Sequence, residues 1–281
     1  MSQTIVEAKR LCLNIGRKIV LDDINTAFLR RESVLIAGRN GAGKSTFLRC
    51  LTGVILPDRG EVSFAEGLDR DKIGFISDRV SLLENLTLKQ GMDFHASAFH
   101  IADFDDSLIM KLNLDLKQKI THLSAGERVL FHLALIVAQK PEILLVDEII
   151  HTIDIYMRTQ ILDALIDLMD KHQTAVIMVN HTFSEVEKIP ERILIMEKGR
   201  FILDEKTEDL RAKIKKVTAQ EPILAELPCI FASESEFRKE YFLYPFKEKF
   251  RRTHPYEYQD LDLTEIMKVF IGGQYVKERD S

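Results

Sequence analysis

Residues 38–46 read Gly38-Arg39-Asn40-Gly41-Ala42-Gly43-Lys44-Ser45-Thr46, which matches the pattern G-x-x-x-x-G-K-[ST]. Glycines at these positions let backbone N–H groups turn toward a triphosphate, and a helix beginning there adds positive potential. Lys44 can reach the β- and γ-phosphates, and Ser45 can ligate Mg²⁺. The acid that such a loop needs stands at the end of Ile143-Leu144-Leu145-Val146-Asp147-Glu148. Asp147 is the candidate for holding the metal, and Glu148 is the candidate for orienting the attacking water. A third constellation, Leu123-Ser124-Ala125-Gly126-Glu127, precedes an apolar stretch. A serine and a glycine at a helix start expose N–H donors to an anion. Ser124 with Glu127 three residues on is equally a capping box, and taken alone that structural reading is the stronger.

These groups need buried strands to hold them. Ser33–Ala37, Ile143–Val146 and Ala175–Val179 are continuous apolar runs of the kind found in fully covered parallel strands. Residues 1–32 alternate weakly and suggest an antiparallel region. Glu61–Phe64 and Lys72–Ile76 read as further strands, and Arg192–Met196 with Arg200–Leu203 reads as a hairpin across Glu197-Lys198-Gly199. Residues 84–122 are polar and rich in Leu and Phe, which predicts a mostly helical insert. Helices are expected over 124–140, stopped by Lys140-Pro141, and over 155–171. The alternation of strand and helix predicts a parallel α/β core.

The bulk composition excludes several classes. The 281 residues carry 44 acids against 39 bases, a net charge of −5, so nothing in the overall charge favours nucleic-acid binding. No apolar run approaches the ~18 residues of a membrane span, and the N-terminus lacks a secretory pattern. Cys12, Cys50 and Cys229 are few and widely spaced, as expected of reduced, buried thiols.

The order of phosphate loop, helical insert, Leu-Ser-x-Gly-x, apolar strand with Asp-Glu, then strand followed by histidine resembles the nucleotide-binding domain of ABC-type ATPases, over roughly residues 3–210. The fold this implies is α/β: a P-loop NTPase core with a mostly parallel sheet, an antiparallel β subdomain and a helical insert at about 84–140, followed by a small C-terminal extension from 211 to 281. The resemblance implies Mg²⁺-dependent ATP hydrolysis, with two ATP molecules buried between head-to-tail domains, in a homodimer or heterodimer. Gly38, Asn40, Gly41, Ala42, Gly43, Lys44, Ser45 and Thr46 would surround the phosphates. Ser124, Gly126 and Glu127 would complete the site of the partner copy. His181, in Val179-Asn180-His181, would contact the γ-phosphate, and Asp154 matches the loop that crosses the dimer interface.

Several positions depart from the family pattern. An aromatic residue usually stacks on adenine where this chain has Ile15, which predicts ATP affinity lower by roughly tenfold at most and poor discrimination against GTP. The glutamine that helps ligate Mg²⁺ is replaced by Asp78, whose carboxylate could serve the metal or simply stand in a turn. Ala125 and Glu127 replace glycine and glutamine.

The resemblance also implies docking on transmembrane permease subunits of a separate chain. The ATPase would then be cytoplasmic and peripheral on the inner face of the membrane. The docking groove would span about Asp78–Phe94, including Leu82, Leu83, Leu86 and Met92; these residues could instead form the insert's own core. A soluble ABC ATPase in a nucleic-acid or ribosome-linked process is the alternative, although the insert is too short for a coiled coil. Leu263–Gly272 loosely resembles the closing helix of ABC-2-type exporters, which favours export. The bases and aromatics of Lys213–Lys216 and Phe246–Arg252 suggest either a membrane-surface or anionic-partner role or, more simply, a packed extension with a solvated basic face.

Overall fold

The structure is a computed structural model and describes residues 4–77, 83–111, 114–149, 153–180, 189–219, 223, 226–234 and 239–272. Thr4–Ile15 (β1) and Lys18–Leu29 (β2) form an antiparallel hairpin. Ser33–Ala37 (β3) is buried along its whole length and leads through residues 38–43 into helix Lys44–Leu51 (α1). Arg59–Phe64 (β4) pairs with β1 and completes a three-stranded sheet in the order β2-β1-β4.

The main sheet has six strands. Ile73–Ser77 (β5), Ile143–Asp147 (β6), Ala175–Val179 (β7), Arg192–Glu197 (β8) and Arg200–Lys206 (β9) join β3 in the order β5-β6-β7-β3-β8-β9. All are parallel except β9, which returns antiparallel to β8. Between β5 and β6 lie Leu88–Ala98 (α2), Ser107–Lys111 (α3) and Ala125–Ala138 (α4), and Ile155–His172 (α5) follows β6.

Alternation along the strands divides the core into two layers. Leu35, Leu144, Val146, Val176 and Met178 face α4 and α5. Their neighbours Val34, Ile36, Ile143, Leu145 and Ile177 face the opposite way, toward α1 and the antiparallel sheet, where Phe28 and Phe47 are fully buried. Each such large side chain contributes about 1.5–3 kcal/mol by leaving water. The central strands must therefore be apolar at every position, and β6 can present a polar residue only where it ends, at Asp147.

Beyond helix Thr207–Lys213 (α6), within which the 210/211 boundary falls, a further sheet forms. Lys215–Ala219 (β10), Cys229–Glu234 (β11), Lys239–Leu243 (β12) and Tyr258–Gln259 (β13) pair in the order β11-β12-β10-β13 around their own core of Val217, Leu227, Tyr241, Leu243 and Phe246. Glu248–Thr253 (α7) and Leu263–Met267 (α8) complete the extension, and α8 continues as a π-helical turn, Lys268–Gly272. Leu263, Ile266, Met267 and Phe270 pack into the core of the main sheet. The basic run at 213–216 is engaged internally: Lys213 pairs with Glu205 at 2.9 Å, Lys215 with Asp260 at 2.7 Å and Lys216 with Glu265 at 3.1 Å. This corrects the expectation of a solvated basic face for that run. In α7, Arg251 lies over Phe246 and Tyr258, 5.9 and 5.6 Å from the ring centroids.

Candidate functional site

The loop after β3 is shaped by what lies behind it. A Cβ on Gly38 would meet the Met196 carbonyl oxygen at 2.2 Å, and Gly38 has a φ of +152°. Gly43, the N-cap of α1 with a φ of +111°, would place a Cβ 2.7 Å from the Val20 carbonyl. Both positions therefore demand glycine, and β2 and β8 form the wall on which the loop rests. The Ala42 carbonyl accepts the Gly199 N–H at 2.9 Å, and the Asp22 N–H donates to the Gly199 carbonyl at 2.9 Å. The β8–β9 turn thus ties the loop to the β1–β2 hairpin. Asn40 and Gly41 are exposed at the crest of the loop.

Lys44 is buried and donates from Nζ to the carbonyls of Gly38 at 2.8 Å and Arg39 at 3.2 Å. Burial pushes its ammonium below the ordinary lysine range, opposed by the nearby charges of Glu148 and Asp147. A phosphate would replace two neutral acceptors with an anion, so the lysine is poised to gain from ligand binding. Ser45 Oγ donates to Asp147 Oδ1 at 2.8 Å, with Thr46 next to it in the first turn of α1. A hydroxyl and a buried carboxylate so placed are hard oxygen donors. Two such groups, with phosphate oxygens and water, suit Mg²⁺, which keeps much of its hydration.

Glu148 follows in the left-handed region, with a φ of +50°. Its N–H donates to the Val179 carbonyl at 3.1 Å, and its carboxylate lies 3.8 Å from Lys44 Nζ. A non-glycine residue at positive φ is a local strain of about 1–3 kcal/mol, and here it turns a carboxylate toward the loop.

Ser124 and Glu127 form the capping box at the start of α4. The Ser124 N–H donates to Glu127 Oε2 at 2.8 Å, and the Glu127 N–H donates to Ser124 Oγ at 3.3 Å. Ser124 is exposed, while Gly126 is buried, and a Cβ there would come within 3.3 Å of Met157 on α5. Asp154 is the exposed cap of α5, accepting from the Tyr156 and Met157 N–H groups at 3.0 and 3.1 Å. Ile15 ends β1 opposite Lys18 and is 57% exposed on the hairpin that abuts the loop. Asp78 and His181 lie outside the described residues, although Ser77 pairs with Asp147 and Val179 ends β7 beside it.

Leu83, Leu86 and Phe94, from the span 78–94 where a docking groove is expected, border a cavity. This cavity of about 260 Å³ is lined by Phe75, Leu83, Leu86, Phe94, His95 and His132, among others. Leu83 and Phe94 are exposed at its rim. Met92 does not belong to that surface: it is buried in the main core, and residues 78–82 lie outside the described set. Burial lowers the His132 imidazole to about 4, with His95 adding to the shift. The sequence reading missed the backing of the loop by Val20, Met196 and Gly199, which no local pattern announces.

Residues 21–151 match the family described as ABC transporter. The chain is 31% identical over 196 residues to an aliphatic sulfonates import ATP-binding protein, SsuB 1, of Nocardia farcinica, covering 68% of this chain and 77% of that protein. It is 28% identical over 205 residues to a zinc import ATP-binding protein, ZnuC, of Hydrogenovibrio crunogenus, covering 68% and 78%. A solved ATP-binding cassette, dimeric in a post-hydrolysis state with ADP and Pi, superposes with a TM-score of 0.62 at 23% identity, covering 72% of this chain and 98% of that one.

Proposed function

Because this chain belongs to the ABC transporter family, we propose that it is the ATP-hydrolysing subunit of a membrane transporter whose translocation path is built by separate permease chains. That it is an ABC-type ATP-binding protein and ATPase follows from the family. Lys44 and the amides of residues 38–46 bind the phosphates. Ser45 and Asp147 hold Mg²⁺, which supplies charge neutralisation at the phosphate oxygens when bound. Glu148 orients the attacking water, and Asp78 and His181 complete the metal and γ-phosphate contacts. Ser124, Gly126 and Asp154 face a second copy of the chain, so that two ATP molecules are sandwiched in a homodimer.

The observation that carries this reading is the convergence of Lys44, Ser45, Asp147 and Glu148, with Ser45 and Asp147 in contact at 2.8 Å and Glu148 3.8 Å from Lys44. Charge stabilisation and positioning are what phosphoryl transfer to water requires. The cavity rimmed by Leu83 and Phe94 is an apolar groove that a helical segment of a permease would fit. Among the described residues no helix is long and apolar enough to cross a membrane. The export expected from residues 263–272 finds no support in the relatives, both of which are named importers; import is the direction we adopt.

The test is to tag Glu148→Gln, load it with Mg-ATP and identify what it retains from detergent-solubilised native membranes. A polytopic membrane protein that restores ATP-driven uptake when reconstituted with the wild-type chain supports the reading. Recovery of ribosomes or DNA-repair proteins in its place would shift it to a soluble ATPase.

A further inference from the structure

The π-helical turn of the C-terminal extension borders the phosphate loop. Phe270 and Ile271, in the π-helical turn after α8, border a void of about 30 Å³ together with Gly38, Arg39, Met196 and Ile202. A pocket that small admits about one water, so Phe270 lies close to the loop's first turn on that side. Two other contacts fix the same turn: Met196 behind Gly38, and Lys44 Nζ on the carbonyls of Gly38 and Arg39. Phe270 is itself held. It is 7% exposed, its ring meets Tyr244 edge-on at 5.3 Å, and the Tyr244 hydroxyl donates to Glu205 Oε1 at 2.6 Å. Tyr244 directly follows β12. A chain of contacts therefore runs from the C-terminal sheet through Tyr244 to Phe270, which lines the pocket beside Gly38 and Arg39.

We infer that Phe270 is a positioning residue for ATP binding, set into the phosphate loop's first turn by the C-terminal extension. The inference rests on the phosphate loop being the ATP site. Without the ring, Gly38 and Arg39 gain space into which their peptide groups can shift. The carbonyls that hold Lys44 in its waiting position shift with them. The loss falls on phosphate binding in the ground state and the transition state alike, so it is read in KM rather than in kcat.

The experiment uses the full chain and compares Phe270→Leu and Phe270→Ala with Ile266→Ala. Ile266 is a fully buried residue of the same segment that does not border the void. KM for ATP, kcat and the unfolding temperature are measured for each. Phe270→Leu raises KM about fivefold and Phe270→Ala about tenfold, with kcat within about twofold of wild type. Ile266→Ala lowers the unfolding temperature and leaves KM unchanged. An unaltered KM in Phe270→Leu overturns the inference, as does an equal KM rise in Ile266→Ala, which would mark a general packing effect. If Phe270→Ala fails to fold, Phe270→Leu decides. Lys44→Ala in the same assay separates the two readings. If it hydrolyses ATP like wild type, the loop is not the ATP site and both fall; if it is inactive while Phe270→Leu is unchanged, only this inference falls.

Discussion

Ser45 Oγ donates a 2.8 Å hydrogen bond to Asp147 Oδ1 and so joins the first turn of α1 to the end of β6 across 102 positions of sequence. Helix and strand are thereby held with two oxygen donors side by side, the pair that would share Mg²⁺ under the proposed function. Removing either oxygen donor should weaken the metal rather than the fold. Ser45→Ala and Asp147→Asn are each expected to lower ATPase activity about 100-fold or more, with half-saturation moved to higher Mg²⁺. A steady-state Mg²⁺ titration checks this, and an unchanged midpoint in both variants would remove the pair from the metal site.

Gly38→Ala should be costly in both stability and ATP binding. Its Cβ would sit 2.2 Å from the Met196 carbonyl, at a φ of +152°, so backbone must move. The expected loss is about 3 kcal/mol in chemical denaturation, accompanied by weaker ATP binding as the loop is pushed off β8. A variant as stable as wild type would show that the loop and β8 are further apart than the structure has them.

Ile15 is exposed on the hairpin against which the loop rests, and under the proposed function it offers an aliphatic surface where a ring would stack on a base. Ile15→Tyr is expected to tighten ATP binding by roughly tenfold at most and to leave the unfolding temperature nearly unchanged. Competition titrations with ATP and GTP measure it; in wild type, a fifty-fold or greater preference for ATP would contradict the assignment.

His132 gives the molecule a pH dependence with a defined sign. Its imidazole is pushed from the ordinary 6.5 to about 4 by burial, with His95 adding to the shift. The unfolded chain therefore takes up the proton first. Stability from the neutral ring is complete above about pH 6.5 and is lost progressively toward pH 4. Between pH 7.5 and 5 the wild type should lose about 1–2 kcal/mol through this residue. His132→Phe should flatten that part of the stability curve in denaturant titrations; a parallel curve would assign the loss elsewhere.

Much of this architecture was readable in the chain because its central strands are covered on both faces. Such strands must be apolar throughout, and Ser33–Ala37 and Ala175–Val179 stand in the structure with the bounds the apolar runs suggested. The same constraint makes Asp147 conspicuous, since a carboxylate ending an otherwise apolar strand needs a reason. The capping box at Ser124 and Glu127 was legible from spacing alone, and the structure contains it. Contacts made by backbone were not legible. The Val20 and Met196 carbonyls behind Gly43 and Gly38 carry no residue-type signature, because any side chain can accompany a carbonyl. Lys215 looked like part of a solvated basic face because its partner, Asp260, is distant in sequence. For Met92 both the groove and the insert's own core stood open, because helical spacing alone does not say which face is covered; the structure buries it in the core.

Under the proposed function, two copies of this chain close on ATP and Glu148 is needed to reopen them by hydrolysis. The most direct measurement is the mass of Glu148→Gln in solution by light scattering, with and without Mg-ATP. The account predicts the 32.3 kDa monomer without nucleotide and a stable dimer with it, retaining unhydrolysed ATP. A protein that stays monomeric at saturating Mg-ATP, or that turns ATP over at the wild-type rate, would contradict it.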